Sequence, residues 1–188
     1  QNIAVNSANQ PLGSFLVDVK GESISVGKLS FNVNLSGEGS GDDVGLLTNV
    51  TLVDANGSVV AGPVDGTDAD SSNTSGSADG SLVFTDSVTF PVGQNVYKLL
   101  GKVGTDMDNN TLISASTTPS NDFATVRGLT TGKTITPAPT SALTFAIMTL
   151  KSGALAISVS SQPTARTIIA GGKKIEFARY TLDAGSSG

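Results

Sequence analysis

The sequence predicts an all-β protein, an Ig-like antiparallel β-sandwich of about ten strands, and three observations predict it. Runs of alternating apolar and polar residues recur at roughly 8–15 residue spacing, each bounded by turn residues. Of the 16 acidic residues only Glu22, Glu38 and Glu176 are Glu; the remainder are Asp, which favours turns over helices because its short side chain bonds nearby backbone. Val, Ile, Thr and Phe supply strand formers, and no segment carries a convincing helical period.

The elements follow in order. Ile3-Ala4-Val5 is a short apolar run, and Leu12 to Val19 places Phe15, Val17 and Val19 on one face. Over Ser23 to Leu35, the residues Leu29, Phe31, Val33 and Leu35 alternate with polar ones, the cleanest period of two in the chain. Residues 36–43 read as a loop. Leu46 to Val53 and Ser58 to Ala61 flank the hairpin turn Asp54-Ala55-Asn56-Gly57. Residues 65–80, DGTDADSSNTSGSADG, lack any large apolar residue and read as an exposed loop. Strands follow at Leu82 to Phe90, Asn95 to Val103, Leu112 to Ser116 and Phe123 to Val126. Thr130 to Thr140, with Pro137 and Pro139, reads as an extended connection. Ala142 to Leu150 and Ala154 to Ser160 close the series, with one helical turn an alternative over 140–150.

Composition excludes much. The 188 residues include no His, Cys or Trp. Disulfides, zinc, haem or iron–sulfur sites with such ligands, and Ser-His-Asp or Cys-His catalysis are therefore impossible. A net charge of −5 argues against a nucleic-acid partner. No apolar run is long enough for a transmembrane helix. No charged-then-apolar leader opens the chain, so a signal peptide was either removed or never present. The low charge and absent Cys suit a secreted prokaryotic protein at the cell surface.

Residues 166–188 echo residues 1–23 at an offset of 165. Ile168 falls on Ile3, Phe177 on Leu12, Tyr180 on Phe15, Leu182 on Val17 and Asp183 on Asp18. The chain thus reads as a β-sandwich module over 1–165 and the opening strands of a second copy over 166–188. Two edge strands with convergent patterning are the alternative. A strand segment in excess of one sandwich pairs with a neighbouring module or subunit, and a non-closing contact of that kind builds a fibre. The expected assembly strand draws on Ile3, Val5, Leu12, Phe15, Val17 and Val19, or on Ile168, Phe177, Tyr180 and Leu182.

The stretches TNVTLVDANGSVVAGPVDG (48–66), LVFTDSVTFPVGQNVYKLLGKV (82–103), TLISASTTPSNDFATVRGLTTGKTITP (111–137) and IIAGGKKIEFARYTLDAGSSG (168–188) resemble a family. It is the tandem β-sandwich (Ig-like) repeat module of large predicted bacterial cell-surface proteins. The resemblance implies secretion and a scaffold, adhesive or surface-layer role, with the segment similar to 168–188 opening the next module. Its motifs are structural, not catalytic.

The acids Asp65, Asp68, Asp70 and Asp79, with Asn73, form the best candidate for a calcium site, with Asp106 and Asp108, and Asp42 and Asp43, as weaker ones. Calcium takes six to eight oxygens, which carboxylates and loop carbonyls supply; the spacing does not fit an EF-hand. A solvated acidic loop is the competing reading. Calcium is the cofactor these acids suggest, and no other is expected. Asn34, Asn49, Asn56, Asn73 and Asn109 match the glycosylation sequon, and chance accounts for most of these in so Asn- and Thr-rich a chain. Lys28, Lys98 or Lys102 is a candidate for a Lys–Asn cross-link beside a buried acid. Ile147, Leu155, Ile157 and Val159 read as core, with a partner-facing surface the alternative.

No motif supports an enzyme. The leading expectation is a structural extracellular subunit that joins copies of itself, or adjacent modules, head to tail into a filament or surface layer. A calcium-stabilised adhesin or ligand-binding module is the alternative.

Overall fold

The computed structural model describes residues 1–37, 42–69, 78–153 and 155–184. They form an all-β, sandwich-like protein. The strands begin with β1 (Asn2–Ala4), β2 (Gln10–Val19), β3 (Ile24–Ser36), β4 (Leu47–Val53) and β5 (Val59–Val64). They continue with β6 (Thr67–Asp68), β7 (Gly80–Phe84), β8 (Val88–Phe90), β9 (Gly93–Val103) and β10 (Leu112–Thr117). A single helical turn, α1 (Pro119–Asp122), precedes β11 (Phe123–Gly128), β12 (Leu143–Thr144) and β13 (Met148–Lys151). β14 (Leu155–Val159) and β15 (Tyr180–Ala184) complete the series.

The count exceeds the expected ten: β6 falls within the expected loop at 65–80, β15 adds a strand at 180–184, and two apolar runs are interrupted. Residues 82–90 divide into β7 and β8, and residues 142–150 into β12 and β13. The helical turn falls at 119–122, not within 140–150. Pro119 occupies its first turn, where a missing N–H costs nothing. The Asp122 carboxylate accepts from the Thr118 N–H at 2.5 Å.

The chain divides into two compact units, Gln1–Lys151 and Ser152–Gly188. In the first, the larger sheet runs β1-β13-β10-β3-β7-β6. β3 is its spine. One edge of β3 pairs with β10 and then β11; the other pairs with β7 and then β8. The second sheet runs β2-β9-β4-β5. β1 and β13 pair in parallel, and the other strand pairs described are antiparallel.

The inward residues of the two sheets make one core. Leu29, Phe31 and Val33 of β3 are fully buried, as their alternation requires. They pack with Leu82 and Phe84 of β7, Leu52 of β4 and Leu99 of β9. Phe31 is the hub: its ring lies 5.6–6.1 Å from those of Phe15, Phe84, Phe123 and Phe145. Ring pairs at such distances add to the burial of their area. Gly62 in β5 has φ +90°, and a Cβ there would sit 2.6 Å from the Val50 carbonyl oxygen, so only glycine fits without strain.

The C-terminal unit is built on a two-stranded antiparallel ribbon, β14 with β15. Its boundary after Lys151 lies ahead of the expected one after residue 165, because β14 pairs with β15 in a sheet of its own. β15 begins at Tyr180, the residue that the 165-residue offset places on Phe15 of β2.

Candidate functional site

The strand β2 ends the four-stranded sheet: among the described residues it has a strand partner, β9, on one side only. Its inward residues Phe15 and Val17 are half-buried, whereas Val19 is buried. Beside them runs an apolar groove of about 340 Å³. One wall is Phe15 to Lys20. The opposite wall is Phe123 and Val126 of β11, the segment Ile135 to Pro139, and Leu143. An apolar groove at an unpaired strand edge offers two things at once, side-chain pockets and a row of backbone groups for a further strand.

The far wall is fastened by one carboxylate. Glu22 accepts from the Thr130 N–H at 2.5 Å, the Thr131 N–H at 2.9 Å and the Thr131 hydroxyl at 2.6 Å. The chain then returns to β11 through Ile135 N–H to the Val126 carbonyl at 2.9 Å. The Thr131 hydroxyl and N–H, followed by the Thr130 N–H, hold the Glu22 carboxyl below its ordinary range. A depressed folded-state pKa stabilises above the unfolded value, and that contribution is lost as pH falls through the folded one. Glu22→Gln is therefore expected to lower the melting temperature at pH 7. The difference from the parent should shrink as pH drops below 4.5, the unfolded reference. Thermal melts of both proteins between pH 7 and pH 3 test this; a difference that is constant with pH contradicts it.

The C-terminal unit carries the complementary feature. The pairs Ile157↔Leu182 and Val159↔Tyr180 lie on one face of the ribbon. Those side chains are 62–84% exposed. The pairs Ala156↔Asp183 and Ser158↔Thr181 set the other face. Six of the seven Phe residues pack in the sandwich, and the seventh, Phe177, is 80% exposed. Ile169 is exposed as well, and Ile168 is exposed to a lesser degree. The core reading of Ile147, Ile157 and Val159 is thereby corrected: all three are exposed. Alternation shows that a strand has an apolar face, but does not show what covers it. Nothing is described of the Leu155 side chain.

The two candidate assembly segments differ. Ile3, Leu12 and Val19 are buried in the sandwich core, with Val5, Phe15 and Val17 packed against it. Ile168, Phe177, Tyr180 and Leu182 are exposed.

The acidic residues mostly hold loops. Asp65 accepts from the Asn49 N–H and Asp68 from the Val44 N–H, both at 2.8 Å. Asp42 accepts from the Asp108 N–H at 2.7 Å and the Thr111 hydroxyl at 2.6 Å. Asp43 accepts from the Gly45 N–H, and Asp79 from the Leu35 N–H. Asp106 takes the Thr105 hydroxyl. Desolvation by the surrounding loops, then the Asp43 carboxylate, raise the pKa of Asp68. Asp70 and Asn73 lie outside the described residues. Among the described residues no group of three or more acidic side chains is placed to hold a metal ion. Lys28 and Lys98 are exposed and Lys102 half-buried, so none has the buried setting a Lys–Asn cross-link needs.

Among the described residues no helix is long and apolar enough to cross a membrane. Comparison with family models, curated proteins and solved structures finds no match.

Proposed function

We infer that the protein is a structural subunit that joins copies of itself head to tail through its C-terminal segment, forming an extracellular fibre. One observation carries the reading. The sandwich of residues 1–151 has its own core, while the ribbon of β14 and β15 leaves large apolar side chains uncovered. A two-stranded ribbon is marginal alone in water and gains stability when its apolar face is buried. Each copy brings one such ribbon and one open strand edge. A contact between different surfaces of successive copies does not close on itself, so it propagates. The N-terminal segment does not serve as the linker in this account, since its apolar residues already belong to the core. The similarity to tandem surface modules fits the same scheme, with the neighbour on the same chain instead of another.

Electron microscopy of the concentrated full-length chain tests the proposal. Unbranched fibres one subunit wide are expected. Discrete single particles at every concentration would refute it.

A further inference from the structure

We propose that the groove beside β2 receives the β14–β15 ribbon of a second copy, with β15 added to the open edge of β2 and Tyr180 and Leu182 turned into the groove. This rests on the head-to-tail reading above and names the surface it uses.

Three observations select that occupant. The first is facial match. Phe15, Val17 and Val19 face inward from β2, and Phe15 and Val17 are left half-covered beside the groove. A ribbon continuing that sheet turns Ile157, Val159, Tyr180 and Leu182 to the same inward side. Ser158, Thr181 and Asp183 then face solvent, as the period of two demands. The second is charge. Residues 1–151 hold seven basic and fourteen acidic residues, a net −7; residues 152–188 hold four basic and two acidic, a net +2. The basic residues Arg166, Lys173, Lys174 and Arg179 lie in the connection between β14 and β15, so the C-terminal segment of one copy is drawn to the sandwich of another, and the attraction weakens with salt. The third is the state of the competing edge. β5 ends the same sheet on its other side, but it is six residues long, contains Pro63, which has no N–H to donate to an added strand, and has two register shifts in its pairing with β4. β2 has its proline, Pro11, and its register shift at its start, and pairs without interruption from Gly13 to Val19.

The chain contains no cysteine, so paired single substitutions report the contact. Asp18→Cys lies on the outer face of β2 and Thr181→Cys on the outer face of β15, leaving the inward anchors intact. Two full-length variants, one tagged, are mixed and oxidised. Neighbouring strands bring Cα atoms to about 4.5–5.5 Å, within disulfide reach. The Asp18→Cys and Thr181→Cys pair is expected to give about tenfold more mixed dimer than Val59→Cys with Thr181→Cys, because docking raises the local concentration of one thiol near the other. Val59 sits exposed on β5. Sedimentation of the reduced mixtures separates the two ways of failing. Self-association with equal cross-linking at both positions, or more at Val59, overturns the groove and leaves the head-to-tail reading standing. No self-association overturns both.

Discussion

Phe31→Ala is expected to destabilise the sandwich by about 3–5 kcal/mol, the cost of emptying a large buried aromatic site. Phe31 is fully buried on the spine strand β3, and four other rings pack around it. Those rings come from β2, β7, β11 and the segment between β12 and β13, so the cavity opens where both sheets meet. Rigid β partners on either side leave little room for collapse, which places the cost toward the upper part of the range. The substitution also removes support behind Phe15 and Phe123, which wall the groove. Chemical denaturation followed through Tyr97, buried in the same core and 4.8 Å from Phe90, measures the loss. A change below about 1 kcal/mol contradicts the hub role assigned to this ring.

The double substitution Tyr180→Asp with Leu182→Asp is expected to abolish self-association and leave the sandwich folded. Tyr180 is 65% exposed and Leu182 62%, so neither change removes core packing of residues 1–151. Two carboxylates on the ribbon's apolar face would have to be desolvated against Phe15 and Val17, and Lys20, the basic residue on the groove's wall, is largely exposed and lies 3.7 Å from Asp18. They also turn the net charge of the C-terminal segment from +2 to 0, from the four basic and two acidic residues it holds. Both effects oppose docking. Near-ultraviolet circular dichroism and the melting of the sandwich should match those of the parent.

Much of the fold is legible from residues. The alternation over Leu29 to Leu35 marks β3 without ambiguity, since an Asn or Ser at every second position tolerates only the solvent side of a sheet or its hydrogen-bonded neighbours. β2, β4 and β9 are legible for the same reason. The breaks at residues 85–87 and 145–147 are not, because Thr85 and Ser87 are residues a strand also accepts, apolar residues persist across 145–147, and the same partner, β3 or β10, continues on both sides of each break. Phe145 shows this: it lies between two strands, yet it is buried and stacked on Phe15 at 5.7 Å. The groove was invisible for a related reason. Ile135, Pro137 and Pro139 carry no pattern of their own, and the segment is placed by Glu22, more than 100 residues earlier, which holds Thr130 and Thr131, and by backbone bonds to β11 from Lys133 to Ile135. The apolar stripe of Ile157 and Val159 shows the limit from the other side. Its period was readable, but its cover is a matter of tertiary and quaternary arrangement. The acids of the polar loops illustrate the ambiguity of Asp, whose short carboxylate serves a backbone N–H as readily as a cation.

Sedimentation velocity of the full-length chain over a hundredfold range of concentration, beside the Tyr180→Asp, Leu182→Asp variant, tests the central claim most directly. Head-to-tail joining through the C-terminal ribbon predicts a series of species that grows with concentration and shrinks with added salt for the parent. It predicts a single folded monomer for the variant throughout. A parent that stays monomeric at every concentration, or a variant that associates as the parent does, contradicts the account.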